Sequence, residues 1–383
     1  MASALTNILR LGRAGLVLVE HGVRLAPKGA PIPLALRLAR LVTLPLRLLR
    51  LPFTISRSGG DGAPLARALT RLGPSYIKLG QFLAARPDLI GRHLTDELAS
   101  LRDQLPPFSM DEARRAIESS LGGSQSDHFA ELEPPVAAAS IAQVHPASVE
   151  EGGALKRVAV KILRPDVERR FAADIESFAY GARLIERFSP PTRRLRPVAV
   201  IETLKRSMDI ELDLRLEGAA ISEMADNIKG DPGFRVPAVD WRRTARRILT
   251  LEWIDGISIG DRARLEAAGH DLRQLGLTIL QSFLRHAMRD GFFHADMHQG
   301  NMFVERDGTV VAVDFGIMGR LGPRERRFLA EILHGLIHRD YRRAAEVHFW
   351  AGYVPRTHSV ETFAQALRAI GEPIHGRRAD EIS

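Results

Sequence analysis

The chain has 383 residues, 45% of them apolar and 26% charged, so it can bury a sizeable core and does not have the composition of a disordered protein. It contains no cysteine, which excludes disulfides, thiolate metal sites and cysteine nucleophiles and leaves the chemistry to Lys, Asp, Glu, His, Asn and Ser. The formal excess of +8 falls within residues 1–60, where Arg10, Arg13, Arg24, Lys28, Arg37, Arg40, Arg47, Arg50 and Arg57 face only Glu20; an arm of this kind suits an anionic membrane better than nucleic acid.

Inside that arm, "PIPLALRLARLVTLPLRLLRLPF" places Arg37, Arg40, Arg47 and Arg50 within an arc of roughly 140°, with Leu and Val around most of the rest. The pattern predicts an amphipathic helix lying in a membrane interface, kinked at Pro45, with docking on the protein's own body as the alternative. No uncharged apolar run reaches the roughly 18 residues of a transmembrane helix. Arg10 and Arg13 also interrupt what would be a signal-peptide core.

After the turn-like "SRSGGDGAP" the sequence reads as mostly helical to about residue 130, broken at "LGP" and "LPPF". "PPVAAASIAQVHPASVEEGGALKRVAVKILRP" then predicts antiparallel strands joined at "EEGG", with Val158, Val160 and Ile162 on one face and Lys161 on the other. Residues 166–230 read as mainly helical, although Ile210, Leu212, Leu214 and Leu216 alternate locally like a half-buried strand. "RRILTLEWIDG" restores a strand, residues 261–291 are helical, and the chain is helical again from about residue 323. No internal repeat is visible.

The chemistry gathers at residues 290–319, "DGFFHADMHQGNMFVERDGTVVAVDFGIMG". Two apolar strands, "MFV" and "VVAV", joined by an "RDG" turn form a hairpin, and such a hairpin brings the loop before its first strand close to the residue after its second. Asp296, Asn301 and Asp314 therefore converge, and three oxygen-bearing side chains suit a hard cation such as Mg2+. Asp296 and Asn301 have the Asp-x4-Asn spacing of a kinase catalytic loop, and Asp314-Phe315-Gly316 has the form of its metal-binding partner. His294, Asp296 and His298 could alternatively ligate a transition metal, but no second histidine-rich cluster completes a zinc set, so the histidines read as loop buttresses. Upstream, Lys161 in "VAVK" is the candidate phosphate-binding lysine, and Glu217 is the candidate acid to pair with it. Where a glycine-rich phosphate loop would lie stands Ala137-Ala138-Ala139-Ser140, whose Cβ atoms resist positive φ.

These residues together resemble the UbiB family of atypical protein-kinase-like proteins, linked to ubiquinone (coenzyme Q) biosynthesis. The resemblance runs from about residue 70 to the end. Lys78-Leu79-Gly80-Gln81 looks like the family's KxGQ motif, Ala137 to Ser140 like its alanine-rich loop, and Glu211-Leu212-Asp213 like its ExD motif. "LEWIDG" resembles the hinge whose backbone, at Glu252, Trp253 and Ile254, would face adenine. The family reads HTDPHPGN where this chain has "HADMHQGN", so Met297 and Gln299 replace two prolines and restore backbone freedom. Many members also continue into a hydrophobic C-terminal tail, whereas this chain stops at "GRRADEIS", as a short member or a truncated piece.

The resemblance implies an α+β, two-lobed protein-kinase-like fold with a helical N-terminal extension. The expected divisions are a membrane-associating arm at 1–60, the extension carrying KxGQ at 61–130, an N-lobe at 131–255 and a C-lobe at 256–383. It implies binding of ATP and Mg2+, with Asp314 and Asn301 on the metal, Lys161 on phosphates, Glu217 orienting Lys161, and Asp296 activating the acceptor. Lys78 and Gln81, on a helix folded over the ExD residues Glu211 and Asp213, would block protein substrates and leave slow ATP hydrolysis. Quinone precursor lipids, anionic lipid and other ubiquinone-biosynthesis enzymes are the implied partners, nucleic acid is not, and the place is peripheral at the cytoplasmic face of a bacterial inner membrane. The alternatives are a small-molecule phosphotransferase of the aminoglycoside or choline kinase type, and a non-catalytic nucleotide-binding scaffold.

Overall fold

The computed structural model describes residues 3–21, 23, 63–99, 101 and 105–377. The Arg-rich segment 31–53, with Pro45, lies outside these residues. The chain divides into two compact units, Met1–Leu216 with Asp240–Leu251, and Glu217–Val239 with Glu252–Ser383. Among the described residues no helix is long and apolar enough to cross a membrane.

The first unit opens with helices Ala4–Glu20 (α1), Pro64–Leu72 (α2), Pro74–Ala84 (α3), Arg92–Ala99 (α4) and Met110–Leu121 (α5). Ser109 caps α5, its Oγ accepting from the Glu112 amide while the Glu112 carboxylate accepts from the Ser109 amide. A sheet follows, with strands Glu131–Leu132 (β1), Ala137–Ala138 (β2), Ala142–Glu151 (β3) and Ala154–Leu163 (β4). Ile248–Glu252 (β6, numbered after Phe234–Arg235, β5) completes it in the order β1-β3-β4-β6, with β2 also on β3. The β3–β4 hairpin turns at Gly152-Gly153, both at positive φ (62° and 78°), the conformation that a tight two-residue turn matching strand twist demands. Along β4 the alternation places Val158, Val160 and Ile162 in the core, where Ile117 and Phe129 pack, and puts Lys161 on the other face.

A buried polar pair interrupts this apolar layer. His145 Nδ1 donates to the Glu133 carbonyl at 2.8 Å, and its Nε2 accepts from Gln143 Nε2 at 2.7 Å. Burial pushes the imidazole below its usual range, so it is held neutral. On acidification the unfolded chain takes up this proton near the ordinary histidine pKa while the folded protein does not. The stability contributed is therefore present above the unfolded pKa and lost as pH falls through the folded one. The thermal midpoint should drop as pH falls below the ordinary histidine pKa of about 6.5, and His145→Gln should reduce that drop. An unchanged pH profile in the variant would contradict this assignment.

Helices Val167–Phe188 (α6) and Pro197–Glu211 (α7) complete the first unit, and Leu214–Asn227 (α8) follows. Leu212 and Leu214 are buried while Ile210 and Leu216 are 53% and 47% exposed, so the apparent strand alternation at 210–216 is overridden by a helix break between α7 and α8. The second unit carries a four-stranded sheet in the order β5-β10-β9-β7, built from β5, Ile257–Ser258 (β7), Met302–Val304 (β9) and Val310–Ala312 (β10). Phe292–His294 (β8) instead pairs with Met318–Arg320 (β11). Its longer helices are Leu272–Arg285 (α9), Pro323–Ile337 (α10), Tyr341–Trp350 (α11) and Val360–Gly371 (α12).

Candidate functional site

In the second unit, β9 and β10 form the expected hairpin, with Met302 opposite Ala312 and Val304 opposite Val310. Because Val313 N–H donates to the Asn301 carbonyl at 2.8 Å, the residue before β9 is fixed beside the residue after β10. A second link closes the loop from its other end. The β8–β11 pairing sets His294 opposite Met318, and the Ala295 amide donates to the Ile317 carbonyl. Asp296, Asn301 and Asp314 are thus bracketed by two strand pairs.

Hydrogen bonds inside the loop define each side chain's part. Asn301 is buried and its Nδ2 donates to the Asp296 carbonyl at 3.2 Å, which leaves Oδ1 as the oxygen the amide can offer a cation. His294 Nδ1 accepts from the Asp296 amide at 3.1 Å, so Nε2 carries the proton and donates to the Val313 carbonyl. Burial holds this imidazole below its usual range. With both nitrogens engaged internally, His294 buttresses the loop, and among the described residues no group of three His, Asp or Glu side chains forms a metal cage. His298 Nδ1 accepts from the Gly300 amide at 3.0 Å and shapes the turn into Asn301. The Asp296 side chain itself is 47% exposed.

Asp314 adopts a left-handed backbone conformation, φ 63°. This is uncommon for any residue with a Cβ, though tolerated best by Asp and Asn, and such strain concentrates at functional sites. The next residue, Phe315, is buried edge-on against His294, with ring centroids 4.9 Å apart, tying the Asp-Phe-Gly segment to the Asp-x4-Asn loop. The Asp314 carboxylate and the Asn301 amide oxygen are hard donors of the kind Mg2+ takes beside substrate phosphates, and they fit that ion. At the hinge, the Glu252 carboxylate accepts two bonds from Arg235 (2.9 and 3.0 Å) and one from the Ala238 amide. Arg235 also grips Glu305 at the end of β9, so Glu252 acts structurally through its side chain, while Trp253 and Ile254 follow half-buried. Glu217 is buried in the first turn of α8.

In the first unit, Lys161 sits on β4 opposite Val144. The Ala137–Ser140 segment is partly a strand: β2 pairs with β3, Ala137 opposite Val144 and Ala138 opposite Gln143, and the chain turns back with Ala139 N–H donating to the Ala142 carbonyl. Lys78 on α3 meets Glu211 at the end of α7, Nζ to carboxylate 2.7 Å, with the side chains only 14% and 11% exposed. Gln81 lies one turn further along α3. Asp213 instead accepts from the Arg215 guanidinium at 2.8 and 2.6 Å and from its amide, which caps α8 and holds the carboxyl below its usual range. The glycine between Lys78 and Gln81 has a steric reason. A Cβ on Gly80 would lie 2.6 Å from a Leu101 methyl and 2.7 Å from a Leu69 methyl, so a side chain there would make both leucines shift.

Comparison with known proteins gives the family and the fold. The family model for the ABC1 atypical kinase-like domain matches residues 100–348. A "Probable protein kinase UbiB" of Xanthomonas campestris pv. campestris (strain B100) is 38% identical over 392 residues, covering 98% of this chain and 68% of the relative. One of the same name from Marinobacter nauticus is 39% identical over 327 residues, covering 84% of this chain and 59% of the relative. Among solved structures, the complex of Rv3197 with erythromycin from Mycobacterium tuberculosis is similar with a TM-score of 0.53 at 26% identity, covering 87% of this chain and 81% of that one.

Proposed function

The chain belongs to the UbiB family of ABC1 atypical kinase-like proteins, and from that premise we propose that it binds Mg-ATP and hydrolyses it slowly in support of ubiquinone biosynthesis. The observation that carries this reading is the left-handed Asp314 beside the Asp296–Asn301 loop, a hard-oxygen set held by two strand pairs. Bound Mg2+ would neutralise phosphate charge. Asp314 and Asn301 are its ligands in this reading, Lys161 holds the phosphates, and Asp296, whose side chain is 47% exposed, orients the attacking water. The Lys78–Glu211 pair supports ATP hydrolysis over phosphorylation of a protein, because it fixes α3 on the ExD segment.

The turnover serves membrane-embedded quinone precursors, which the protein makes accessible to the enzymes that modify them while lying peripherally on the cytoplasmic face of a bacterial inner membrane. The basic charge of residues 1–60 supports an anionic lipid partner. Phosphate release from Mg-ATP should therefore rise several-fold when anionic liposomes carrying a phenolic quinone precursor are added, as electrostatically recruited proteins gain from anionic lipid. Tight ATP binding with no release under either condition would replace this reading with the nucleotide-binding scaffold.

A further inference from the structure

An alanine loop poses a problem that a glycine loop does not. Each Cβ closes off the positive-φ conformations with which a glycine loop turns its N–H groups, so the direction of the peptide groups within the remaining range is what a neighbouring side chain can set. In this protein one side chain does so. Arg164, three residues after Lys161, donates from Nε (3.0 Å) and Nη2 (2.8 Å) to the Ala139 carbonyl. Its own amide donates to the Ile141 carbonyl at 2.8 Å, so the residue grips the turn at two points. Since a trans peptide sets N–H opposite C=O, holding the Ala139 oxygen also fixes the direction of the Ser140 N–H.

The same guanidinium reaches a second segment. Nη1 donates to the Pro106 carbonyl at 3.0 Å and Nη2 to the Leu105 carbonyl at 3.3 Å, and the Phe108 ring lies 5.8 Å from the charge. Pro106 and Pro107 have no N–H, so this stretch is held chiefly through its carbonyls, and the five-donor fork of arginine suits that task. Gln143, opposite Ala138 on β3, takes the far end of the stretch. Its Oε1 accepts from the Phe108 amide at 3.0 Å and its Nε2 donates to the Phe108 carbonyl at 3.4 Å. The bracketed segment, Leu105 to Phe108, leads from the Lys78–Gln81 extension into α5.

We propose that Arg164 is a positioning residue that sets the alanine loop for nucleotide by clamping the Ala139 carbonyl to the Leu105–Pro106 segment. The inference rests on the proposed function for its consequence, since the affinity at stake is that for ATP. It does not depend on it for the clamp.

The test uses the full chain, with Arg164→Ala and, because that variant could lose stability, Arg164→Lys, which keeps the charge but lacks the fork. Amide hydrogen exchange is read without nucleotide at Leu105, at Phe108 and over residues 137–142, with residues 147–149 and 158–162 as the sheet reference. ATP affinity is read separately. Both variants should raise exchange at the two clamped segments together, by about tenfold, with the sheet unchanged, and should weaken ATP binding by about tenfold. Added guanidinium should restore much of the loss in Arg164→Ala and none in Arg164→Lys. Unchanged exchange at 137–142, or a rise spread evenly through the sheet, would overturn the proposal. If the wild type binds no ATP, the proposed function fails, while the exchange result still decides whether the clamp exists.

Discussion

Asp314→Asn should abolish most phosphate release from Mg-ATP, by about a hundredfold to a thousandfold, the range seen when one preorganised electrostatic group is lost from a reacting phosphate or oxyanion. The substitution is informative because of the backbone. Asp314 is left-handed at φ 63°, and Asn is the residue that tolerates this conformation about as well as Asp, so the fold is kept and only a charge is removed. Alanine would mix the loss of charge with backbone strain. Phe315 and His294 should hold the segment in place in either case, since their contact involves neither carboxylate oxygen. The thermal midpoint of Asp314→Asn without nucleotide should therefore match the wild type, and a collapse of the fold together with the activity would contradict the assignment of Asp314 as a metal ligand.

Lys78→Met is the second large effect, and it acts on stability. The ion pair with Glu211 is 2.7 Å long and nearly excluded from water, so removing Lys78 leaves a buried carboxylate without this counter-charge. Breaking pairs of this kind costs about 3–5 kcal/mol, whereas replacing both partners with apolar side chains is often close to neutral. In denaturant unfolding Lys78→Met should lose about 3 kcal/mol, and Lys78→Met with Glu211→Met should recover most of it. Additive losses in the double variant would show that the two residues do not act as a pair. Recovery of stability without recovery of ATP turnover would separate the pair's structural part from its effect on the nucleotide site.

Much of this arrangement was legible in the sequence where the signals are local. The "EEGG" turn and the alternation Val158, Val160, Ile162 predict β3 and β4 because a hairpin is set by adjacent residues. The same holds for "MFV" and "VVAV", and hence for the meeting of Asn301 with Val313. Segments 210–216 mislead, since two buried leucines at a helix break imitate the period of a strand. The β8–β11 pairing was not legible, because two three-residue strands flanking a hairpin carry almost no pattern of their own. Neither was the Arg164 clamp, which joins residues 25 and 58 positions apart through carbonyls that have no side-chain signature. Gly80 belongs to the KxGQ segment by sequence, but the close approach of Leu69 and Leu101 to it is visible only in the packed chain.

The most direct test of the central claim is equilibrium binding of labelled ATP to the full chain as Mg2+ is titrated, compared between wild type and Asp314→Asn. Wild type should bind saturably and more tightly as Mg2+ rises, and Asp314→Asn should bind more weakly and nearly indifferently to Mg2+. Equal Mg2+ dependence in the two proteins, or no ATP binding by the wild type, would contradict the claim.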